Sequence, residues 1–371
     1  VNFLSMWQSA KVSESGKISR RAWAEIFYTR KTGGLFDITE DVSKYFLSLD
    51  YTDNLSDTAD DINLTLEDMD RLWIGSYMPQ MGDYLSAIIH TYAWNGLNDG
   101  EKVLDIGKFE IDNLSGEEIP TTVQIKAVSI LSDNKTLREA KKSRSWDNIN
   151  LKKIASDVAS ANGLTLFWDV DEDPEIDHVE QSDESDLELL QRLCKDAGHA
   201  LKVTAEKIII FDEYKYEMKS PSFTFAYPGD SAGGSVIDEI EKFTFDIKTR
   251  DVYSSCEVKY QEGKGKRVIE GSFTPPGDIF ASNGKVLSVK ESVKDEAEAV
   301  RLAKKRLRDK NKDAVKVSLT TPGNLNIAAG LTANLSGFGK LDGKYIITKA
   351  AHKLADSYTT SVDLRRCLNG Y

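Results

Sequence analysis

Asp61-Ile62-Asn63-Leu64-Thr65-Leu66-Glu67 alternates polar and apolar residues without a break. A period of two places Ile62, Leu64 and Leu66 on one face of an extended chain and Asn63, Thr65 and Glu67 on the other. Ser48-Leu49-Asp50-Tyr51-Thr52-Asp53 comes just before it. The bridge Asn54-Leu55-Ser56-Asp57-Thr58 carries the short polar side chains that hydrogen-bond to their own backbone in turns. The stretch therefore predicts a pair of half-buried antiparallel strands in a sheet or barrel.

The same signal spreads outward. Trp23, Glu25, Phe27 and Thr29 alternate with Ala24, Ile26 and Tyr28, and Gly33-Gly34 marks a turn. Tyr84 to Trp94 is rich in aromatic and β-branched residues, and Val103 to Ile111 and Thr121 to Ile130 add further strands. Several short strands between Gly, Asn and Asp turns make a β-rich first domain over residues 20–132. Residues 1–19 read as an extension. Ser13-Glu14-Ser15-Gly16-Lys17 is a polar spacer, and Phe3, Leu4, Met6 and Trp7 ahead of it form an apolar plug that docks on a neighbour or packs on its own domain.

At Asn134 the pattern changes. Lys135, Arg138, Lys141, Lys142 and Arg144 crowd into ten residues; such a run is a solvated face or a grip for phosphate or an acidic partner, and the solvated face is the commoner case. Asn150 to Leu166 then predicts an amphipathic helix (Leu151, Ile154, Ala155, Val158), closed by Asn162-Gly163 and followed by a strand. Ser185 to Val203 repeats the plan with Leu187, Leu189, Leu190 and Leu193, closed by Ala197-Gly198. Ser185 suits the N-cap, and Asp186 and Glu188 suit the positive helix start. Two helix–Gly–strand units make a small α/β domain over residues 133–232. Between them Asp169, Asp171, Asp173, Asp177 and Glu180 fall on the first, third, fifth, ninth and twelfth positions of a calcium loop. Pro174 stands where that loop needs Gly, and a strand precedes it, so a solvated acidic loop is the better reading.

Tyr227 to Gly234 is a loose, Pro- and Gly-containing boundary. Beyond it, residues 233–371 return to strand alternation, with Phe243, Phe245 and Ile247 on one face. One long helix over about 294–311 sets Arg301, Lys305 and Arg308 above Ala299, Leu302, Ala303 and Leu307. The acidic residues beside these basic ones favour a protein interface or a plain surface over nucleic acid.

Composition bounds the rest. The 371 residues allow two or three domains, and a net charge of −12 disfavours a general nucleic-acid binder. Cys194, Cys256 and Cys367 are too few and too scattered for a disulfide framework or a metal site. No run of about 18 apolar residues predicts a membrane span, and no signal-peptide pattern opens the sequence. No Gly-x-Ser-x-Gly elbow or His-Glu-x-x-His motif occurs, and His90, His178, His199 and His352 are scattered. No catalytic residue and no cofactor is expected.

Several stretches, in order, resemble the late control D family, the baseplate hub proteins of contractile phage tails and phage-tail-like particles. They are Arg20 to Trp23; Tyr51-Thr52-Asp53 with Ala59 to Asp68 and Trp73; Leu104 to Asp112; Lys141 to Trp146; and Gly337 to Tyr345. The most specific is Gln181-Ser182-Asp183-Glu184-Ser185-Asp186-Leu187, opening the helix that ends at Gly198. The resemblance extends to the T-even central hub and to the amino-terminal hub region of type VI secretion spikes. It implies a mainly β fold in which two tail-tube-like β-barrels flank the α/β domain. It implies a homotrimer that adapts a sixfold tail tube to a threefold central spike. The implied partners are the spike, tube, tape-measure and other baseplate proteins. Synthesis in the bacterial cytoplasm and assembly into the baseplate follow from the same likeness. Arg138, Lys141, Lys142, Arg144, Arg301, Lys305 and Arg308 are the candidate interface residues. A tail-associated wall hydrolase and a receptor- or carbohydrate-binding module are the alternatives from other classes.

Overall fold

The computed structural model describes residues 20–371 except 97–98, 120, 130–134, 174, 230–235, 249, 262–267, 277–283 and 369. The extension 1–19, Pro174 and residues 230–234 of the expected boundary lie outside the described residues. The chain forms two compact units. The first comprises Val1–Asp212, Thr321–Ala329 and Lys349–Ser361; the second comprises Glu213–Thr320, Gly330–Thr348 and Val362–Tyr371.

In the first unit, β1 (Arg21–Thr29), β2 (Leu35–Asp37), β3 (Phe46–Asn54), β4 (Asp61–Glu67), β5 (Tyr84–Tyr92), β6 (Glu101–Glu117) and β7 (Thr122–Val128) form one antiparallel sheet. Its order is β2-β1-β5-β6-β7-β4-β3, and Lys349–Leu354 joins β3 on the far side. The short helix α1 (Thr39–Ser43) lies between β2 and β3. The decisive alternation is realised. Ile62, Leu64 and Leu66 are buried opposite Ala127, Ile125 and Val123, while Asn63 and Thr65 are half-buried on the other face. Leu49, Leu85, Ala87 and Ile89 complete that core. A register shift between Ser86 and Ile88 on β5 is taken up in β6 at Gly107, whose φ of +83° suits glycine.

A second core in the same unit belongs to the α/β segment. After the short α2 (Lys135–Arg138), β8 (Lys142–Ile149) leads to α3 (Leu151–Ala161) and β9 (Thr165–Asp169); β10 (Ile176–Glu184) leads to α4 (Asp186–Ala197), β11 (Ala200–Val203) and β12 (Lys207–Phe211). Ile154, Ala155 and Val158 of α3 pack with Leu189, Leu190 and Leu193 of α4 over Leu201, Ile208 and Ile210. Asn150 caps α3 by accepting from Lys153 N–H. Ser185 and Glu188 form a reciprocal capping box on α4, which Gly198 ends at φ +74°. The strands of the two repeats are not neighbours, because β12 lies between β11 and β9. β12 runs parallel to β9 and antiparallel to β11.

The second unit opens with α5 (Glu213–Met218) and β13 (Phe223–Ala226), which pairs in parallel with β14 (Val236–Ile237) and β20 (Thr332–Ser336). β20 continues to β21 (Gly343–Leu354) and β22 (Tyr358–Arg366), then to β19 (Val315–Pro322) and β15 (Lys242–Ile247). A separate three-stranded sheet, β17 (Val268–Phe273), β16 (Ser255–Gln261) and β18 (Val286–Val289), carries α6 (Glu296–Asn311). Ala299, Ala303 and Leu307 of α6 bury against Cys256, Val258 and Ile269. The approach is so close that a Cβ on Gly271 would lie 2.6 Å from the Ala299 Cβ. The fold is mainly β with few helices, as the alternation requires. Strand pairing follows open paths, and among the described residues no pair closes a sheet on itself. No described helix is long and apolar enough to cross a membrane.

Candidate functional site

The basic run after residue 134 and the acidic start of α4 meet. Asp186, the first residue of α4, is fully buried. Its Oδ2 lies 2.6 Å from Lys142 Nζ, and its Oδ1 accepts from Arg144 Nη2 at 2.6 Å. Gln181 holds the pair from below: its Oε1 accepts from Arg144 Nε at 2.7 Å, and its Nε2 donates to Asp186 Oδ1 at 3.1 Å and to the Glu184 carbonyl at 3.0 Å. The bulge between Gln181 and Glu184, with Asp183 at φ +49°, lets β10 turn so that Gln181 and Asp186 face the same cations. The Arg144 guanidinium also lies 4.6 Å from the Trp146 ring. Burial alone would raise the Asp186 carboxyl, but hydrogen bonds from Lys142 and Gln181 and the charges of Arg144 and Lys142 hold it below the usual range. Lys141 pairs with Glu188 at 2.6 Å. That bond, with the Ser185 backbone, draws the Glu188 carboxyl down to about 2. The capping and clasping roles together explain why Gln181, Ser185 and Asp186 are spaced as they are. Of the four candidate residues here, Lys141, Lys142 and Arg144 are engaged within the chain, and Arg138 is exposed.

The candidates on α6 divide similarly. Arg308 donates to both Glu217 oxygens at 3.2 and 2.6 Å. Arg365 of β22 reaches Glu213 at 2.8 Å and Glu217 at 2.5 Å, and Lys312 lies 3.5 Å from Glu213. Glu217 is 2% exposed and Arg365 2%. Burial would raise Glu213, yet the charges of Arg365, Lys312 and Arg308 hold it low. Arg301 is exposed and Lys305 half-buried.

The acidic loop is dispersed over several elements. Asp169 ends β9, Asp177 and Glu180 belong to β10, and Asp173 accepts the Leu151 and Lys152 backbone N–H groups at 3.1 and 3.2 Å at the start of α3. Asp171 lies in the connection between β9 and β10. Among the described residues no group of three or more His, Cys, Asp or Glu side chains gathers to hold a metal. His178 pairs with Asp147 at 2.6 Å, and His90 stacks on Trp23 with centroids 4.9 Å apart.

Of two exposed apolar surfaces, only the second was marked by the sequence. The first is the connection between β4 and β5, where Met69, Ile74, Tyr77, Met78 and Met81 are all exposed. The available signal was that Met69, Met78 and Met81 are three of the chain's five methionines. The second is β15, an edge strand that pairs only with β19 among the described residues. Its Phe245 and Ile247 are exposed, while Phe243 stacks on Phe338 with centroids 4.4 Å apart. Alternation located that face but could not tell an edge from a sheet interior.

The family model of the phage tail baseplate hub (GPD) matches residues 122–358. The chain belongs to the phage tail baseplate hub family. Two curated relatives, each named a probable baseplate hub protein, are similar to it. That of Escherichia phage P2 is 26% identical over 236 residues, 62% of this chain and 54% of its own length. That of Escherichia phage 186 is 29% identical over 175 residues, 47% of this chain and 42% of its own length. The chain thus spans about half the length of the curated relatives it matches. Among solved structures, the 43 kDa tail protein of prophage MuSo2 from Shewanella oneidensis superposes with a TM-score of 0.66. The match covers 94% of this chain and 100% of that one at 14% identity, which shows a shared fold. The hub-family resemblance read from the sequence is therefore correct.

Proposed function

We propose that this baseplate hub protein assembles as a trimeric ring that adapts a sixfold tail tube to a threefold central spike. In this reading residues 20–132 and 233–371 supply two tail-tube-like barrels per chain, flanking the α/β segment 133–232, so three copies present six. The barrels close in the assembly, through pairing between copies at the sheet edges. The observation that carries the reading is the open edge strand β15 with its exposed Phe245 and Ile247. An exposed sheet edge with apolar side chains is a template for another strand. β2, with Leu35 68% exposed, offers an edge in the first unit. Two different edges joined head to tail between copies make a ring when the rotation closes.

The role is structural rather than catalytic. Its partners are the spike, the tube protein, the tape-measure protein and other baseplate proteins, and it is made in the bacterial cytoplasm before joining the tail. Arg138 and Arg301, both exposed, are the candidate interface cations best placed to meet a partner, since Lys141, Lys142, Arg144 and Arg308 already serve the chain itself. Size-exclusion chromatography with light scattering, followed by negative-stain imaging, tests the proposal. A hollow threefold ring, formed alone or on adding the spike protein, is expected. A monomer indifferent to the spike would overturn it.

A further inference from the structure

The connection between β4 and β5, residues 68–83, keeps its backbone bonded to itself and turns apolar side chains outward. Asp68 is fully buried, and its carboxylate accepts the Trp73 and Ile74 backbone N–H groups at 2.9 and 3.0 Å. Short turns close the rest: Arg71 N–H bonds to the Asp68 carbonyl, Gly75 and Tyr77 N–H to Leu72, and Asp83 N–H to Gln80. Trp73 is buried beneath, edge-on to Tyr45 and Tyr77. Asp83 fastens the far end by accepting the Lys31 backbone N–H at 2.8 Å and the Tyr28 hydroxyl. On this base Met69 is 74% exposed and Met81 58%, with Ile74, Tyr77 and Met78 also exposed. Ile119, exposed in the β6–β7 turn, extends the apolar area. Apolar groups gathered on an anchored segment mark an interaction surface, and flexible methionines mould to what they meet.

We propose that this surface seats an amphipathic helix with a basic polar face, carried by another protein. The inference goes beyond the ring and does not depend on it. The helix follows from the backbone. Residues 68–83 hold no strand and so offer no row of free N–H and carbonyl groups. An extended partner laid across them would bury its own backbone unpaired, whereas a helix arrives with its hydrogen bonds made. The charge follows from the border. Glu67 and Asp70 flank Met69 in sequence, and Arg71, 3.3 Å from Glu118, brings Glu117 and Glu118 alongside. Asp112 follows Ile111, whose backbone bonds to Gly82 and Asp83. The cations there are Arg71, already paired with Glu118, and Lys31 and Lys44 at the margins. Lysines or arginines beside the apolar stripe of a helix meet that acid as the stripe settles on the methionines.

Two synthetic helical peptides with the same leucine stripe, one with lysine and one with glutamate on the polar face, test this against the full chain by calorimetry. The lysine peptide should bind, and the glutamate peptide should bind at least about tenfold more weakly. Equal binding, or no binding of the lysine peptide, would overturn the proposal. Since the whole chain carries a net charge of −12, location is read separately. A photo-crosslinking residue at Met78 should join the lysine peptide, and failure to join it would overturn the proposal. Met69→Ser with Met81→Ser, both at exposed positions, should weaken binding about tenfold and leave the melting midpoint unchanged. Asp70→Asn with Glu117→Gln should weaken it several-fold and flatten its salt dependence. Undiminished affinity in either pair would overturn the proposal. In the chain alone, a crosslink from position 78 to the same chain or to a second copy would show the surface already covered, and would overturn it too. Failure of these tests is separable from failure of the ring, which is read by oligomer mass.

Discussion

Asp186 in the first unit and Glu217 in the second are both buried carboxylates held by two cations, but their surroundings differ. The cations on Asp186 are about one-third exposed, Lys142 at 30% and Arg144 at 34% of their side chains, and Gln181 shares the load. Glu217 meets Arg365 and Arg308, whose side chains are only 3% and 14% exposed. The difference lies in what each network leaves behind when it is cut. Loss of Asp186 lets Lys142 and Arg144 turn toward water. Loss of Glu217 leaves an arginine buried on every side.

The largest effect is therefore expected from Glu217→Ala. Removing one partner of a buried pair and stranding the other charge costs about 3–5 kcal/mol. The urea midpoint of the second unit, followed by amide exchange in β19 and β22, should fall accordingly. A loss under about 1 kcal/mol would show that Glu213 alone keeps Arg365 satisfied, and the contrast would collapse. Asp186→Ala comes next, at about 1–3 kcal/mol, because its partners can rehydrate while Gln181 loses an acceptor. The reading is amide exchange in α4 and β10. A cost as large as that of Glu217→Ala would mean that Lys142 and Arg144 cannot reach solvent, contrary to their exposure.

The same comparison explains what could be read from the sequence. The Asp186 clasp draws on residues 142–144 and 181–186, two short runs brought together by the β8–β10 pair, and both runs stood out as a basic cluster and a helix start. The network of the second unit joins Arg308 to Glu217 across 91 residues and Arg365 to Glu213 across 152. Glu213 and Glu217 are four apart on α5, as are Arg308 and Lys312 at the end of α6, so each helix offers a matched face. Nothing local says which faces meet, and Arg308 looked like a surface cation for that reason. Likewise the period of two in Ile62, Leu64 and Leu66 fixed a core face. It carried no information on which strands would end at an edge, because edge and interior strands alternate alike. The calcium spacing is legible only along the sequence: a strand runs through Asp177 and Glu180 and carries alternate side chains to opposite faces.

The smallest effect concerns acid, and it separates the units most cleanly. All four histidines, His90, His178, His199 and His352, fall in the first unit and none in the second. His352 is buried; its Nε2–H donates to the Ile327 carbonyl at 3.1 Å, and its Nδ1 accepts the Tyr358 hydroxyl at 2.8 Å. Burial holds its pKa below the usual 6.5, outweighing the Ile327 carbonyl and the Asp53 charge that favour the cation. A depressed histidine pKa means that the folded state prefers the neutral ring. Its stabilisation is thus whole above about pH 6.5 and is lost as pH falls from there toward the folded value. The carboxylates Asp186 and Glu213 are also lowered, from 3.8 and 4.5, but their stabilisation is whole above those values and fails only below them. Below about pH 6.5, then, the first unit bears a loss at His352 that the lowered Glu213 of the second unit does not share. Amide exchange corrected for intrinsic rate should quicken in β3 and around Ile327 when pH falls from 7.5 to 5.5, and stay level in β16. His352→Gln, which keeps a donor and an acceptor but cannot gain that proton, should flatten the response. Equal loosening of both units would place the acid sensitivity elsewhere and leave His352 a plain buried hydrogen-bonding group.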